Sequence, residues 1–456
     1  SVWQKVNEPK STTTMPTTTT TTTTTVPQVQ AGQECARVGA RVPNPLGLLE
    51  CRVTYTGQHQ YIQLSTGSPT LNFPVPPQAP STSAESIAEC RIRDVRATTY
   101  QPWNVAFPRG DKLGGRMLPN RGRAVVHLIA VDFVDAEGTL EELVNAQSQI
   151  DEYNRWFDFN SNGALQFEWR YHKQWLRMSQ PSTSYTWDKR DKASYISHAE
   201  EMLALADPHL DFSNSDIVFV LLPKTIGKHA PDLGHASHTL RTNEGVVSNL
   251  WAGGWYFYQK ENGVVRELWS FWVHEWFHPM GIPGHGLRLN LDVMNNQNGK
   301  SVVLNAWDAF LSGWLSASQM YCAPIKRLGS YQTQLVPMER NQFGLRSVMI
   351  PVSTTEVIVI ESRRAEGWGE RLGVGNYGVL VYVIDSSQDV DRSNESFVDP
   401  RSPFQSFATV LLPTTSVISS EKRVEKLLLV GEKVDYRGYS IEFVATGDND
   451  TIKVSY

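Results

Sequence analysis

The chain has 456 residues, 40% of them hydrophobic, with 42 basic against 47 acidic side chains and a formal net charge of −5. That length can support two or three domains, each with its own core. The charge offers no broad cationic face to hold a phosphate backbone, so nucleic acid is not an expected partner. No run of about 18 apolar residues occurs, so no transmembrane segment is expected.

In chain order, residues 1–30 contain the tract MPTTTTTTTTTVP. Such a tract has almost nothing to bury and cannot offset its own ordering entropy, so it reads as a tether or stalk able to attach the protein to a cell surface. The chain opens at Ser1 with no charged stub before an apolar core, so any export signal is expected to have been removed already.

The four cysteines, Cys35, Cys51, Cys90 and Cys322, include no CxxC pair, which argues against a cysteine-based zinc site or a thioredoxin-type redox motif. Disulfides are the better reading. Cys35 and Cys51 bracket ECARVGARVPNPLGLLEC, which a hairpin can close, leaving Cys90 and Cys322 to join distant segments. Four reduced, buried thiols are the alternative. With the stalk, the disulfides point to a secreted or extracellular protein.

Residues 31–75 combine the bracketed stretch with alternating segments such as RVTYTG and QYIQLS, and read as a small disulfide-bearing β module. A Pro- and Ser-rich linker covers 76–90. From 91 to 322, buried-strand runs such as RAVVHLIAVDFVD and SDIVFVLLPKT alternate with helical patterns at TLEELVNAQSQIDEYNRWF, around 193–206, VVRELWSFWVHEWFH and NAWDAFLSGWL. That order predicts a mixed α/β (α+β) domain. After Cys322 come short β-rich runs, RSVMIPV, EVIVIES, YGVLVYVID, KLLLVGE, YSIEFVATG and TIKVSY, so 323–456 is read as β-sandwich-like.

The chemistry is concentrated in HEWFH at 274–278. On a helix, residues four apart share a face, so His274 and His278 can present both imidazoles to one metal ion. Glu275 then lies beside the metal without being needed as a ligand, free to take a proton from a metal-activated water and hand it to a leaving amine. Zinc suits this arrangement.

HEWFHPMGIP, followed by Met294 in LDVMNNQNG, resembles the immune inhibitor A type of zinc peptidase and, more broadly, the metzincin clan, whose helix reads HExxHxxGxP before a methionine turn. The resemblance extends loosely over about 120–385. It implies a zincin-like catalytic domain, zinc on His274 and His278, Glu275 as base, Met294 beneath the site, and protein or peptide substrates. Two departures stand out. Six residues after the second histidine, where the clan places its third ligand, this chain has Gly284. His285, one residue later, is the natural replacement, with Asp292 in reserve. Pro279 directly follows His278 and should kink or stop the helix.

Other candidates have plainer readings. His229, His235 and His238 lie in KHAPDLGHASH, read as a polar loop. DFNSNG at 158–163 reads as a tight turn rather than a calcium loop. Trp251, Trp255, Trp269, Trp272 and Trp276 read as core or as a specificity pocket. The expected function is that of a secreted zinc-dependent endopeptidase. The rival is a catalytically inactive cell-surface adhesion or structural protein that keeps the same scaffold.

Overall fold

The structure, a computed structural model, describes residues 33–36, 40–44, 47–53, 59–64, 84–96, 103–112, 116–185, 192–229, 232–235, 240–253, 260–261, 264–265, 267–283, 287, 291–294, 303–323, 329–372, 376–389, 407–414 and 426–456. The Thr tract at 17–25, Trp255, His238 and His285 lie outside them. The chain divides into two compact units, Ser1–Asn72 and Phe73–Tyr456.

In the first unit β1 (Arg41–Asn44), β2 (Gly47–Val53) and β3 (His59–Leu64) form an antiparallel three-stranded sheet in that order. Cys51 of β2 is fully buried and bonded to Cys35.

The second unit opens with the short helix α1 (Ala84–Cys90), whose Cys90 is bonded to Cys322 across a sequence separation of 232. Its first large sheet contains β4 (Gly122–Asp132), β5 (Leu165–Arg177), β6 (Ile217–Leu221), β7 (Asp232–His235) and β10 (Leu250–Gly253), in the order β5-β4-β6-β10-β7. Strands β5, β4, β6 and β10 run parallel, and the edge strand β7 runs antiparallel to β10. The segment KHAPDLGHASH, expected to be a loop, thus supplies that edge. Its Gly234 needs no side-chain packing to pair with Trp251, and the ladder to β10 satisfies its backbone.

Strands β4 and β6 are apolar on both faces, as a sheet covered on both sides requires. One face, with Val126, Leu128 and Phe219, packs on α2 (Leu140–Ser161) and α4 (Leu268–Met280). The other, with Ile129, Val131, Val218 and Val220, packs on α3 (Lys192–Ala206). Helix α2 starts with a capping box, in which the Thr139 side chain accepts from Glu142 N while Glu142 accepts from Thr139 N. It ends at Asn162 and Gly163, both left-handed (φ 53° and 72°), which is the turn read in DFNSNG. Two small hairpins, β8 (Leu240–Thr242) with β9 (Gly245–Val247) and β11 (Lys260–Glu261) with β12 (Val264–Val265), complete this half.

Helix α5 (Ala306–Leu311) leads into two further sheets. One has the order β13 (Met320–Cys322), β15 (Ser347–Pro351), β16 (Glu356–Arg364), β17 (Tyr377–Asp385), β18 (Ala408–Val410). The other has the order β14 (Ser330–Leu335), β21 (Asp450–Ser455), β20 (Tyr439–Ala445), β19 (Lys433–Tyr436). They share a core made by Val348, Ile358, Ile360, Val381, Ile441, Phe443 and Ile452. The opposite face of the first sheet, with Met349, Val357, Val359, Leu380 and Tyr382, belongs to the same core as α4. The position 322/323, drawn from composition as a domain boundary, therefore falls inside one compact unit.

One expected strand is missing. KLLLVGE forms only an isolated bridge, Val379 to Leu428, and left-handed Lys426 (φ 59°) and Gly431 (φ 84°) confine any extended run to the residues between them. Among the described residues the fold is mixed α/β, with several sheets and few helices, and no helix is long and apolar enough to cross a membrane.

The Cys90–Cys322 bond closes a loop of more than 200 residues. On the loop-entropy account its removal costs about 5 kcal/mol, less any structure kept by the unfolded chain. Replacing both cysteines by serine should therefore lower the urea midpoint of the second unit clearly, measured by tryptophan fluorescence. An unchanged midpoint would show that the bond does not constrain the unfolded chain.

Candidate metal centre

Helix α4 reads LWSFWVHEWFHPM, and every one of its residues is buried. A helix apolar on all sides has to lie inside the protein. Trp272 packs against Phe219 of the sheet (ring centroids 5.5 Å apart) and Phe277 against Trp156 of α2 (5.7 Å). Trp269, Trp272 and Trp276 are core residues, and Trp251 is also buried.

Both ends of α4 are held from outside the helix. At its start, Glu267 makes no side-chain cap bond. Gln149 of α2 takes over, accepting from Trp269 N at 3.1 Å and donating to the Glu267 carboxylate at 3.0 Å. At its end, Pro279 lies in the last turn and the helix stops at Met280, one residue later. Gly281 follows with φ 85°, donating its N–H back to Phe277 and His278 carbonyls. A side chain at Gly281 would also meet the Met117 methyl at 2.0 Å. Leu118 N donates to Pro279 O (2.9 Å) and Arg109 donates to Met280 O, so these two residues satisfy terminal carbonyls of the helix.

This framework brings His274, Glu275 and His278 together, with relative exposures of 2%, 6% and 7%. One ligand atom from each lies within 4.8 Å of the others. The two histidine Nε2 atoms are 3.1 Å apart. His274 Nδ1 lies 3.0 Å from the carbonyl of Val293. A carbonyl only accepts, so Nδ1 must donate, and the neutral ring then carries its lone pair on Nε2, the form that binds metals. The Trp103 indole stacks on the His278 ring at 4.9 Å and 23°, and Trp251 lies nearly parallel to it at 6.1 Å. The group can hold a metal ion.

The other expected site residues are placed differently. His285 lies outside the described residues. Asp292 is not a member of the histidine group. Its carboxylate accepts from Met294 N at 2.9 Å and braces the turn that follows α4. Met294 is fully buried in the core shared with α4. Trp103, Gln149 and the Val293 carbonyl have no motif in the sequence, and only contact reveals them.

Asp292 faces a small cavity together with Pro283, Leu287, Asn305, Trp307 and Asp308. Burial pushes its carboxyl up to about 7, against backbone N–H groups of Met294 and Leu287 and the charge of Arg363, which favour ionisation. Burial likewise raises Asp308, and the nearby Asp292 adds to the effect.

No protein-family model matches the chain, and no curated protein matches it.

The raised Asp292 has a testable consequence. Its folded value of about 7 exceeds the ordinary 3.8, so the folded chain keeps a proton that the unfolded chain loses. The resulting stability is fully present below about pH 4 and disappears as pH rises through about 7. In Asp292→Asn the loss of stability between pH 4 and 7 should be smaller than in the wild type, read from urea midpoints of the metal-free protein at pH 5 and 8. Parallel profiles would assign the pH dependence to other groups.

Proposed function

We propose that the protein is a zinc-dependent endopeptidase of the immune inhibitor A type, with His274 and His278 as ligands and Glu275 as general base. The observation that carries this reading is the imidazole pair at 3.1 Å, with the tautomer of His274 set by Val293 O. Zinc–nitrogen bonds of about 2.0–2.1 Å at a tetrahedral angle separate two nitrogens by about 3.3 Å. The observed separation fits that requirement without rearrangement of the helix. His285 stands in the sequence as the candidate third ligand.

When bound, zinc supplies a Lewis acid that polarises a carbonyl and makes water nucleophilic near neutral pH. The chain's own groups supply the rest. Glu275 follows the first ligand directly, within reach of the metal's neighbourhood, and takes the proton from the attacking water before giving it to the departing amine. Aromatic packing keeps bulk water from the histidines, so a proton passing to or from Glu275 moves in a weakly screening environment.

A peptide substrate is supported by the sheet. Among the described strands β7 is the edge of its sheet, and an extended peptide can join such an edge through backbone hydrogen bonds, largely without regard to side chains. Gly234 of β7 pairs with Trp251, whose ring lies 6.1 Å from that of His278, so this edge runs beside the metal centre.

The non-catalytic alternative draws on a different observation. All three side chains of the group are nearly buried, and Trp103 covers one imidazole. A scaffold that retains the metal and hydrolyses nothing would have this appearance.

One set of measurements separates the two. The purified chain should contain stoichiometric zinc by elemental analysis and hydrolyse a denatured protein, with activity lost on chelation. Glu275→Gln should keep the metal and lose about 100- to 10,000-fold in kcat/KM, whereas His278→Ala should lose both. Zinc without hydrolysis in the wild type would favour the scaffold, and absence of bound metal would sink the peptidase reading and leave only a metal-free scaffold.

A further inference from the structure

Arg363 of β16 is fully buried, one of the largest side chains in the protein with no solvent contact. Taking a guanidinium out of water costs several kcal/mol, which only close, well-oriented partners offset. It has them. Nε donates to Glu339 at 2.7 Å and Nη1 to Glu361 at 3.0 Å. Each carboxylate is itself held, Glu339 by Arg364 N (2.9 Å) and Glu361 by Ala306 N (2.6 Å) at the start of α5 and by the Tyr382 hydroxyl (3.1 Å). The carboxylates keep the guanidinium charged even though burial alone would favour losing the proton.

The remaining branch of Arg363 leaves the C-terminal sheet. Nη2 donates to the carbonyl of Leu291 at 3.3 Å. Two residues further on, Val293 O receives the Nδ1 proton of His274 at 3.0 Å, while between them the Asp292 carboxylate accepts from Met294 N. A buried ion network of this kind adds little net stability over a well-packed apolar core, but it fixes geometry, because a planar fork with both carboxylates anchored has one low-energy orientation.

We propose that Arg363 is a positioning residue for the metal centre: it anchors the 291–294 turn, whose Val293 carbonyl orients His274 and holds its Nε2 lone pair toward the metal. The inference rests on the zinc reading above and extends it from a ligand on helix α4 to a residue 89 positions away, on strand β16. It makes the C-terminal sheet part of the metal site rather than an appendage.

The test uses the full-length protein and two variants. Arg363→Lys keeps a positive charge for Glu339 and Glu361 but lacks the fork needed to reach Leu291 O at the same time. The quadruple variant Glu339→Gln, Glu361→Gln, Arg346→Met, Arg363→Met removes two negative and two positive charges together, Arg346 included because it is buried and Glu339 and Glu361 are its counter-charges. Zinc affinity is measured by chelator competition, the thermal midpoint of the metal-free form by calorimetry, and ligand geometry by the visible absorption of the Co²⁺-substituted protein. Expected are a metal-free midpoint near that of the wild type in at least one variant, zinc binding weakened roughly 10- to 100-fold there, and an altered Co²⁺ spectrum. Wild-type affinity and spectrum in a folded variant would overturn the proposal. So would failure of both variants to fold, which would make Arg363 a folding residue. A wild type that binds no zinc would instead overturn the peptidase reading itself.

Discussion

A helix buried along its whole length has to satisfy whatever polar groups it carries from inside the protein, and α4 carries His274, Glu275 and His278. Buried ionisable groups are expensive unless hydrogen-bonded or bound to a metal. The surroundings follow from that requirement. The Val293 carbonyl accepts a hydrogen bond from His274 Nδ1, Trp103 stacks on His278, and Gln149, Arg109 and Leu118 bond backbone groups at the two helix ends. The apolar positions of the same helix meanwhile join it to the sheet and to α2, so the site sits on a rigid support.

The C-terminal sheet is covered on both faces. Alternate residues of β16 and β17 point to different cores, Ile358, Ile360, Val379, Val381 and Val383 toward the second sheet, and Val357, Val359, Leu380, Tyr382 and Ile384 toward α4. That is why VIVIE and VLVYVID read as continuous apolar runs instead of alternating ones. The buried ions Glu361 and Arg363 lie two apart on β16, on the same side as Val357 and Val359, and therefore in the layer that meets the turn after α4.

Much of the secondary structure was legible in the sequence. Strand β4 and helices α2 and α4 appear where their periodicity puts them, and the cysteine pairs form as expected, because a short bracketed stretch leaves one partner for each remaining cysteine. Local signals failed where a single backbone conformation decides. KLLLVGE has strand composition but is bounded by left-handed Lys426 and Gly431, and the polar segment at 232–235 becomes a strand because β10 offers it a partner. Composition also changes at 322 while the core continues across it, since packing responds to apolar surface and not to the type of element that carries it.

The sequence by itself determined that two imidazoles and a carboxylate share one helical turn, because the spacing of HEWFH and the 3.6-residue period are local properties. It left open whether the tryptophans around that turn are core or a pocket, and packing against α2 and the sheet made Trp269, Trp272 and Trp276 core. Only the tertiary structure decided which carbonyl sets the tautomer of His274, which helix caps α4, and which buried arginine reaches the 291–294 turn. Those contacts join residues 19, 120 and 72 positions apart, and a distance of that kind exists only once the layers have packed.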